Sequence, residues 1–546
     1  MYRNKIALTC LAIVLILSML AGCSENAEPN TEAVQNETKG QNEGTTGETA
    51  DEVPYPEKIT YWAAMNANVA ATMKSFNEMK VYQELEKITG TKIDFQHPPV
   101  GQEREQFNLL LASGDKIPDV IEYVWTRAPK GPDAAIQDNV ILRLNELIEE
   151  HAPNLTAYLN ANPDLKKLIT TDEGNIYVMP YFNPEMNLRA YNGPAIRQDW
   201  LDKLGLEVPT TLEEWEKMLI AFRDGDPNNN GEKDEIPLIF YPELMHVNHY
   251  FVGAYGISSR YYQEDGQVKY GPVQPEYKEF LTLMNRWYNE GLIDKDFATM
   301  DGKLMNAKMA EGIAGAMGMN VGSGIGTLTQ SGKQSNPDFR LTGIPYPVLE
   351  PGGSSLGFMD AAFIGLGAAV SAKAEHPEQI VKWLDYGYSE EGGLLYNFGI
   401  EGVSYEMKSG HPTLTEMITN NEQGLSLAQL LSQYSHGTFG GAYIFDSRLA
   451  DQYSLTMPEQ KTAIAAWAQA DHSKLMPLTS QSIDESARIS TLGNDIETYS
   501  AEMLNKFITG LEPLDNFDKF VETIKAMGID EVLKLKQAGL DRFNSR

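Results

Sequence analysis

Between residues 226 and 237 the chain reads Asp-Pro-Asn-Asn-Asn-Gly-Glu-Lys-Asp-Glu-Ile-Pro. Oxygen-bearing side chains recur at every second position, Asp226, Asn228 and Asn230, and Gly231 follows where the backbone must turn sharply. A hard cation takes six to eight oxygen ligands at about 2.3–2.6 Å, so this pattern is the first half of a calcium loop of the EF-hand type. The second half departs from it. The twelfth position, which that loop type gives to a bidentate Glu, is Pro237, so the closing ligands must come earlier, from Asp234 and Glu235. The alternative is a metal-free, Asn/Gly-rich turn from a helix into a strand. Calcium held by five acidic or amide side chains would be structural, because little coordination is left open for catalysis.

Other residue patterns speak against catalysis. Gly353-Ser354-Ser355-Leu356-Gly357 has the letters of a serine-hydrolase elbow, with Asp385 and His411 in the right order behind it. An elbow needs a strand before the serine and a helix after it, and this one lies in a Pro/Gly loop. Gly322-Ser323-Gly324-Ile325-Gly326 has the wrong spacing for a dinucleotide fingerprint, and no His-Glu-x-x-His occurs. A pair of glycosidase carboxylates leaves no linear signature among 76 acidic residues, so a glycoside hydrolase stays open, as does a surface adhesin or sensor. Sugar recognition needs flat aromatic faces and hydrogen-bonding side chains in a partly dry cleft. Trp215, Trp287, Trp383 and Trp467 fall inside helical patterns and read as core, whereas Trp62, Trp125, Trp200, Tyr181 and Tyr241 fall at segment ends. Arg197, Asp199, Asn320, Asp360 and Glu401 are the polar candidates near such ends, each with a surface or hinge hydrogen bond as its alternative.

These residues need elements to position them. Lys58–Trp62 reads as a strand, followed by a helical stretch to Gly90, a strand over 92–95, a helix through 107–111 and a strand over 120–125. That alternation predicts a parallel, doubly wound sheet, in which ligands bind beyond the carboxyl ends of the strands. A second α/β region starts near Leu188, with helices over 197–204, 212–222 and 276–289 and a strand over 237–241. Residues 312–326 read as short Gly-rich apolar material, and the Pro/Gly stretch 345–353 as a crossing between domains. Residues 361–366 and a helix over 377–388 return to α/β character, and 496–543 is an amphipathic helical tail.

At the amino terminus Arg3 and Lys5 precede an apolar run from Ile6 to Leu17 that ends in Leu20-Ala21-Gly22-Cys23. The run is too short to span a bilayer and ends in small residues, as a secretory signal does. Residues 24–53 are rich in Glu, Asn, Thr and Gly, with no aromatic residue before Pro54, and read as a tether. The net charge of −32 argues against nucleic acid and anionic lipid surfaces as partners, and weakly for a neutral or cationic ligand.

Leu20-Ala21-Gly22-Cys23 resembles a bacterial lipobox, which implies a diacylglyceryl group on Cys23 and a mature chain without a free thiol. Residues 113–120 (Ser-Gly-Asp-Lys-Ile-Pro-Asp-Val), 197–206 (Arg-Gln-Asp-Trp-Leu-Asp-Lys-Leu-Gly-Leu) and 383–392 (Trp-Leu-Asp-Tyr-Gly-Tyr-Ser-Glu-Glu-Gly) resemble the extracellular solute-binding proteins of family one. The resemblance implies the type II periplasmic-binding fold, two α/β lobes around a cleft that closes on its ligand. The organisation expected from it is a signal at 1–22, lipidated Cys23 and tether to 53, a first lobe from 54–188 and 347–450, a second from 189–346, and a helical segment 451–546 packing mainly on the second. It also implies carbohydrate import with separate ABC permease subunits, a monomer held to the membrane by its lipid, and calcium held with help from the backbone carbonyl at Glu232.

Overall fold

In the computed structural model, residues 53–114, 116–242, 248–420, 423–436 and 440–546 are described. The signal, Cys23, tether residues 24–52 and Asp115 of the 113–120 motif lie outside the described residues. Val53–Arg546 forms one compact unit.

In chain order the strands are β1 (Lys58–Trp62), β2 (Lys92–Gln96), β3 (Val120–Val124), β4 (Met179–Pro180), β5 (Asn192–Arg197), β6 (Ile236–Ile239), β7 (Tyr261–Glu264), β8 (Gln267–Tyr270), β9 (Ala314–Asn320), β10 (Leu341–Gly343), β11 (Leu366–Val370), β12 (Tyr405–Lys408) and β13 (His411–Leu414). They build two principal sheets, ordered β2-β1-β3-β11-β4 and β10-β5-β9-β6, and two hairpins, β7-β8 and β12-β13.

The first sheet follows from its sequence alternation. Ile59, Tyr61, Ile93 and Phe95 are buried on the face that the helix Lys80–Thr89 covers with Val81, Tyr82 and Leu85. That helix ends at Gly90, whose φ of 75° is the left-handed conformation glycine adopts freely. β1 pairs in parallel with β2 and β3, and β11 runs antiparallel to β3 with Leu366 opposite Val124. The carboxyl ends of β1 and β3 therefore meet the start of β11 at one edge.

The second sheet has a different composition. β9 reads Ala-Gly-Ala-Met-Gly-Met-Asn, is buried almost throughout, and pairs with both β5 and β6. It gives the stretch 312–326, read from sequence as short Gly-rich apolar material, a central strand. A Cβ on Gly315 would stand 2.5 Å from the Phe222 ring, and one on Gly318 2.2 Å from the Tyr250 ring, so the large rings sit where side chains would otherwise be. The helix Leu212–Asp224 starts at a capping box between Thr211 and Glu214 and buries Trp215, Met218, Leu219 and Phe222 on this sheet. The helices Ile483–Thr509, Phe517–Ala526 and Ile529–Ser545 complete the same core with Met503, Phe507, Phe520, Ile524 and Val532.

Residues 181–191 run from β4 to β5 and residues 344–365 from β10 to β11, and the two segments are hydrogen-bonded to each other. Asn183 N–H donates to the Ala362 carbonyl at 2.9 Å, and Asp360 N–H to the Arg189 carbonyl at 3.2 Å. Each sheet has its own apolar core, and a smaller third cluster around Phe398, Tyr405, Ile418 and Leu431 lies beneath the β12-β13 hairpin.

Candidate functional site

The carboxyl ends of β1 and β3 carry an aromatic stack. Tyr123 lies 3.7 Å from the Phe107 ring in a near-parallel arrangement, Trp62 meets Tyr123 edge-on at 6.3 Å, and Trp125 meets Phe107 edge-on at 5.2 Å. Trp62 is 5% exposed, whereas Tyr123 keeps a partly open face and is the ring that solvent or a ligand can reach. Burial raises the Tyr123 phenol, and the Arg127 and Arg104 guanidiniums oppose that rise. Tyr123 carries little signal of its own in the sequence, because it is an interior strand residue. Its position on the face opposite Glu122, two residues before the strand's end turn, was the available signal.

The crossing segments bring together Arg189, Tyr191 and Asp360, and His472 joins them through the Phe358 backbone and the Arg189 charge. The Tyr191 hydroxyl donates to Asp360 Oδ2 at 2.8 Å, and Arg189 Nη1 donates to the Asp360 carbonyl at 3.2 Å. Burial lifts the Asp360 carboxyl above its usual range, while the Tyr191 hydroxyl and the charges of Arg189 and Arg127 pull it down. Burial lowers His472, whose ring bonds the Phe358 backbone and feels Arg189. Since Arg127 follows β3, one electrostatic group spans the first lobe and the crossings.

The remaining expected site residues divide by environment. Asn320 closes β9 at half burial, and its Oδ1 accepts from Ser323 Oγ at 3.0 Å and Gly324 N–H at 3.1 Å. Tyr241 is half-buried just beyond β6. Tyr181 is buried, edge-on to Tyr443 at 5.2 Å. Glu401 is exposed at the turn leading into β12, apart from this group. Four others are interior packing residues. Trp125 is fully buried and donates its indole N–H to the Ile121 carbonyl at 3.3 Å. Trp200 is fully buried against Phe222, and Arg197 and Asp199 form a buried pair with Arg197 Nη2 2.7 Å from Asp199 Oδ2. The Arg197 guanidinium lies between the rings of Trp200 and Phe339, which leaves it no face for a ligand.

A second polar group lies on the opposite face of β3. The Tyr61 hydroxyl donates to Glu122 Oε2 at 3.0 Å, and the Tyr82 hydroxyl is 2.8 Å from His436 Nδ1. Burial pushes the Glu122 carboxyl up to about 7, against the pull of Tyr61 and the Gly441 backbone, and holds His436 down to about 4. The folded value of Glu122 exceeds its ordinary 4.5, so its contribution to stability is complete below about 4.5 and is lost as pH rises through 7. The folded value of His436 lies below its ordinary 6.5, so its contribution is complete above about 6.5 and is lost as pH falls through 4. Between 4.5 and 6.5 the two slopes oppose. Glu122→Gln should unmask the histidine, so that across this window stability climbs with pH by on the order of 2 kcal/mol more than in the parent. Urea unfolding of both proteins at several pH values measures the difference, and parallel profiles would defeat the assignment.

The loop 226–235 wraps on itself. Asp226 accepts the N–H groups of Asn230 at 3.1 Å and Gly231 at 3.2 Å, and the amides of Asn228 and Asn230 donate to Asp234 at 2.9 and 3.1 Å. Asp226, Asn229 and Gly231 all have positive φ. Glu235 Oε1 is buried with no hydrogen-bond partner, and burial raises its carboxyl, reinforced by the Asp234 and Asp226 charges. Among the described residues no group of three or more His, Cys, Asp or Glu is arranged to hold a metal ion. The Asn228 and Asn230 amides turn their nitrogens to Asp234, and Glu235 is a partly buried carboxylate with one buried oxygen that accepts no hydrogen bond.

Residues 62–394 match the model of the bacterial extracellular solute-binding proteins. The chain belongs to that family. Its two-lobed α/β fold is shared by solved solute-binding proteins, among them the alginate-binding protein AlgQ2 in a calcium-free form (TM-score 0.72, 23% identity, 90% of this chain and 98% of that one). FusA of Streptococcus pneumoniae in complex with kestose has a TM-score of 0.71 at 23% identity, covering 89% of this solute-binding protein and 99% of FusA. By sequence it is 26% identical over 523 residues to the fructooligosaccharide ABC transporter substrate-binding protein FusA of S. pneumoniae serotype 4, covering 90% of this chain and 92% of FusA. It is also 26% identical over 465 residues to the lipoprotein LipO of Bacillus subtilis, covering 82% and 86%.

Proposed function

We propose that this solute-binding protein is the receptor of an ABC-type importer and captures an oligosaccharide between its lobes. The observation that carries this reading is the partly open Tyr123 ring, stacked on Phe107 beside Trp62 at the carboxyl ends of the first-lobe strands, together with the hydrogen-bonding group Asp360, Tyr191 and Arg189 on the crossings, both within the field of Arg127. A sugar presents a C–H face to the ring and hydroxyls to the polar side, and a closed site excludes the water that competes for both. Half-buried Asn320 and Tyr241, at the ends of β9 and β6, are further candidates to line the site from the second lobe. Closure follows when the ligand touches both lobes more favourably in the closed arrangement than in the open one. The names of FusA and of the polygalacturonan/rhamnogalacturonan-binding protein YtcQ support the substrate class.

The receptor is a monomer tethered through lipid on Cys23, delivers its ligand to separate permeases and carries out no reaction. The best hydrolase letters support that last point. Ser355 Oγ donates to the Leu356 carbonyl, and Asp385 Oδ1 accepts the Leu155 N–H at 2.8 Å as a helix-terminus acceptor. Structural calcium completes the loop 226–235, held by Asp226, Asn228, Asn230, Asp234 and Glu235 with the Glu232 backbone carbonyl. The EF-hand mutant known for FusA is consistent with this.

Thermal unfolding of residues 53–546 against a panel of mono- and oligosaccharides tests the reading. A ligand at 100 times its Kd adds about 2.7 kcal/mol, a shift of several degrees. One glycan giving that shift, recovered intact by mass spectrometry and ineffective on Tyr123→Ala, is the expected result. Cleaved glycan would move the case to a glycoside hydrolase, and capture of an extended polymer without lobe closure to an adhesin.

A further inference from the structure

The last turn of the chain is held between the two lobes by charge. Arg542, on the helix Ile529–Ser545, donates from Nε to Asp172 Oδ2 at 2.6 Å and from Nη1 and Nη2 to the two oxygens of Glu485 at 3.1 and 2.5 Å. Arg546 adds a second contact, 3.3 Å from Asp172 Oδ1, and bonds the Thr170 carbonyl, while Lys167 sits 4.4 Å over the Phe543 ring. Asp172 is a first-lobe residue. Its turn is fixed there by the Thr171 hydroxyl and the Asn175 amide, both of which donate to buried Asp133 at 2.8 Å, and Ile169 and Ile176 on either side belong to the first core. Glu485 is a second-lobe residue, locked in the capping box that starts the helix Ile483–Thr509.

We propose that this group is a clasp formed as the lobes close, with Arg542 as its positioning residue, so that the carboxyl-terminal turn sets the open–closed equilibrium of the receptor. The inference rests on the two-lobed receptor reading. Two carboxylates approach each other across the junction on rigid supports, and only an intervening cation makes that approach favourable. The Asp172 side chain is 4% exposed, and the partners of its carboxylate are the two terminal arginines. A carboxylate so deprived of water is tolerated when paired and costly when its partner is removed, whereas parting of the lobes would return it to solvent. The junction is also loosely filled. A void of about 60 Å³ beside it is bounded by Thr126, Gly131 and Thr171 of the first lobe, by Leu478, which packs on the first core, and by Thr479 and Ser486 leading into the helix Ile483–Thr509. Thr126 follows β3, so the clasp lies at the carboxyl-end edge of the first sheet, where the proposed cleft opens.

The test uses the mature chain with Cys23→Ser, which leaves no other thiol, and dyes on cysteines introduced at exposed Lys87 and Lys217, one in each lobe. Single-molecule energy transfer then reads the lobe separation without any sugar. Arg542→Met should shift the ligand-free population toward the open form and weaken sugar binding roughly tenfold through faster dissociation, equivalent to about 1.4 kcal/mol. Adding Asp172→Asn to Arg542→Met should restore most of the closed population, because the repulsion it relieves is the reason for the shift. Raising salt from about 0.01 M to about 1 M, where screening shortens from about 30 to about 3 Å, should open the parent and leave Arg542→Met unmoved. Identical distance distributions in parent and Arg542→Met, with only a lower melting temperature, would overturn the clasp and leave a static tie. Failure of every sugar to bind would count against the receptor reading, while the ligand-free comparison would still decide the clasp.

Discussion

Arg197→Met should lower the stability of the second lobe by roughly 3–5 kcal/mol while leaving ligand affinity in the folded protein unchanged. The guanidinium makes a two-pronged bond to Asp199, Nε to Oδ1 at 2.8 Å and Nη2 to Oδ2 at 2.7 Å, and Nη1 reaches the Gly312 carbonyl at 3.3 Å. Asp199 Oδ1 also accepts the Arg340 N–H at 3.3 Å. Arg197 is 1% exposed and Asp199 5%, so neither charge has water to fall back on. Removing one partner strands the other, and this is the costly direction for a buried pair. The double substitution Arg197→Met/Asp199→Leu removes both charges at similar volume and should recover most of the loss, because the packing of Trp200 and Phe339 around the site is apolar. Chemical denaturation gives the stabilities, and calorimetric titration below the melting temperature gives the affinity. Unchanged stability with affinity lost would return Arg197 and Asp199 to the ligand site.

That pair shows where sequence reading reaches its limit. The alternation of β1, β2 and β3 with their helices was legible because hydrophobic periodicity is local, and each strand carries its own signature of branched and aromatic residues. The helices over 212–224 and 275–289 were legible for the same reason, as capping and periodicity sit in adjacent residues. Arg197 and Asp199 read as cleft candidates because they stand at a segment end, where the helix over 197–204 begins. Their burial is decided by Phe339 and Arg340, more than 130 residues away, which no spacing rule connects to them. β9 was missed for a related reason. Its glycines are complements to Phe222 and Tyr250, so the apolar surface that marks a strand is supplied by other segments. Asp360 stands among the sequence candidates, whereas its partners Arg189 and Tyr191 join it only when the crossings fold together.

Withdrawal of calcium should destabilise the second lobe by about 3–4 kcal/mol when the ion had been present at 100 to 1,000 times its Kd. The physical basis is already in the loop without the ion. Asp226, Asp234 and Glu235 crowd negative charge at one turn, and Glu235 is held above its usual range, first by burial and then by its neighbours. Because its folded value is raised, the carboxylate form costs stability as pH rises through that value; the protonated form does not. A divalent cation reverses the sign by turning the same three charges into ligands. Reorientation of the Asn228 and Asn230 amides, which now donate to Asp234, presents their oxygens instead. Glu235→Gln therefore has opposite expected effects in the two conditions. In chelator it should stabilise the protein by a few tenths of a kcal/mol, since an uncompensated charge is gone, and in calcium it should abolish most of the metal-dependent gain. Differential scanning calorimetry of both proteins in calcium and in chelator separates the terms. An undiminished calcium shift in Glu235→Gln would exclude this residue as the closing ligand, and absence of any shift in the parent would make the loop the metal-free turn that its internal hydrogen bonds can also support.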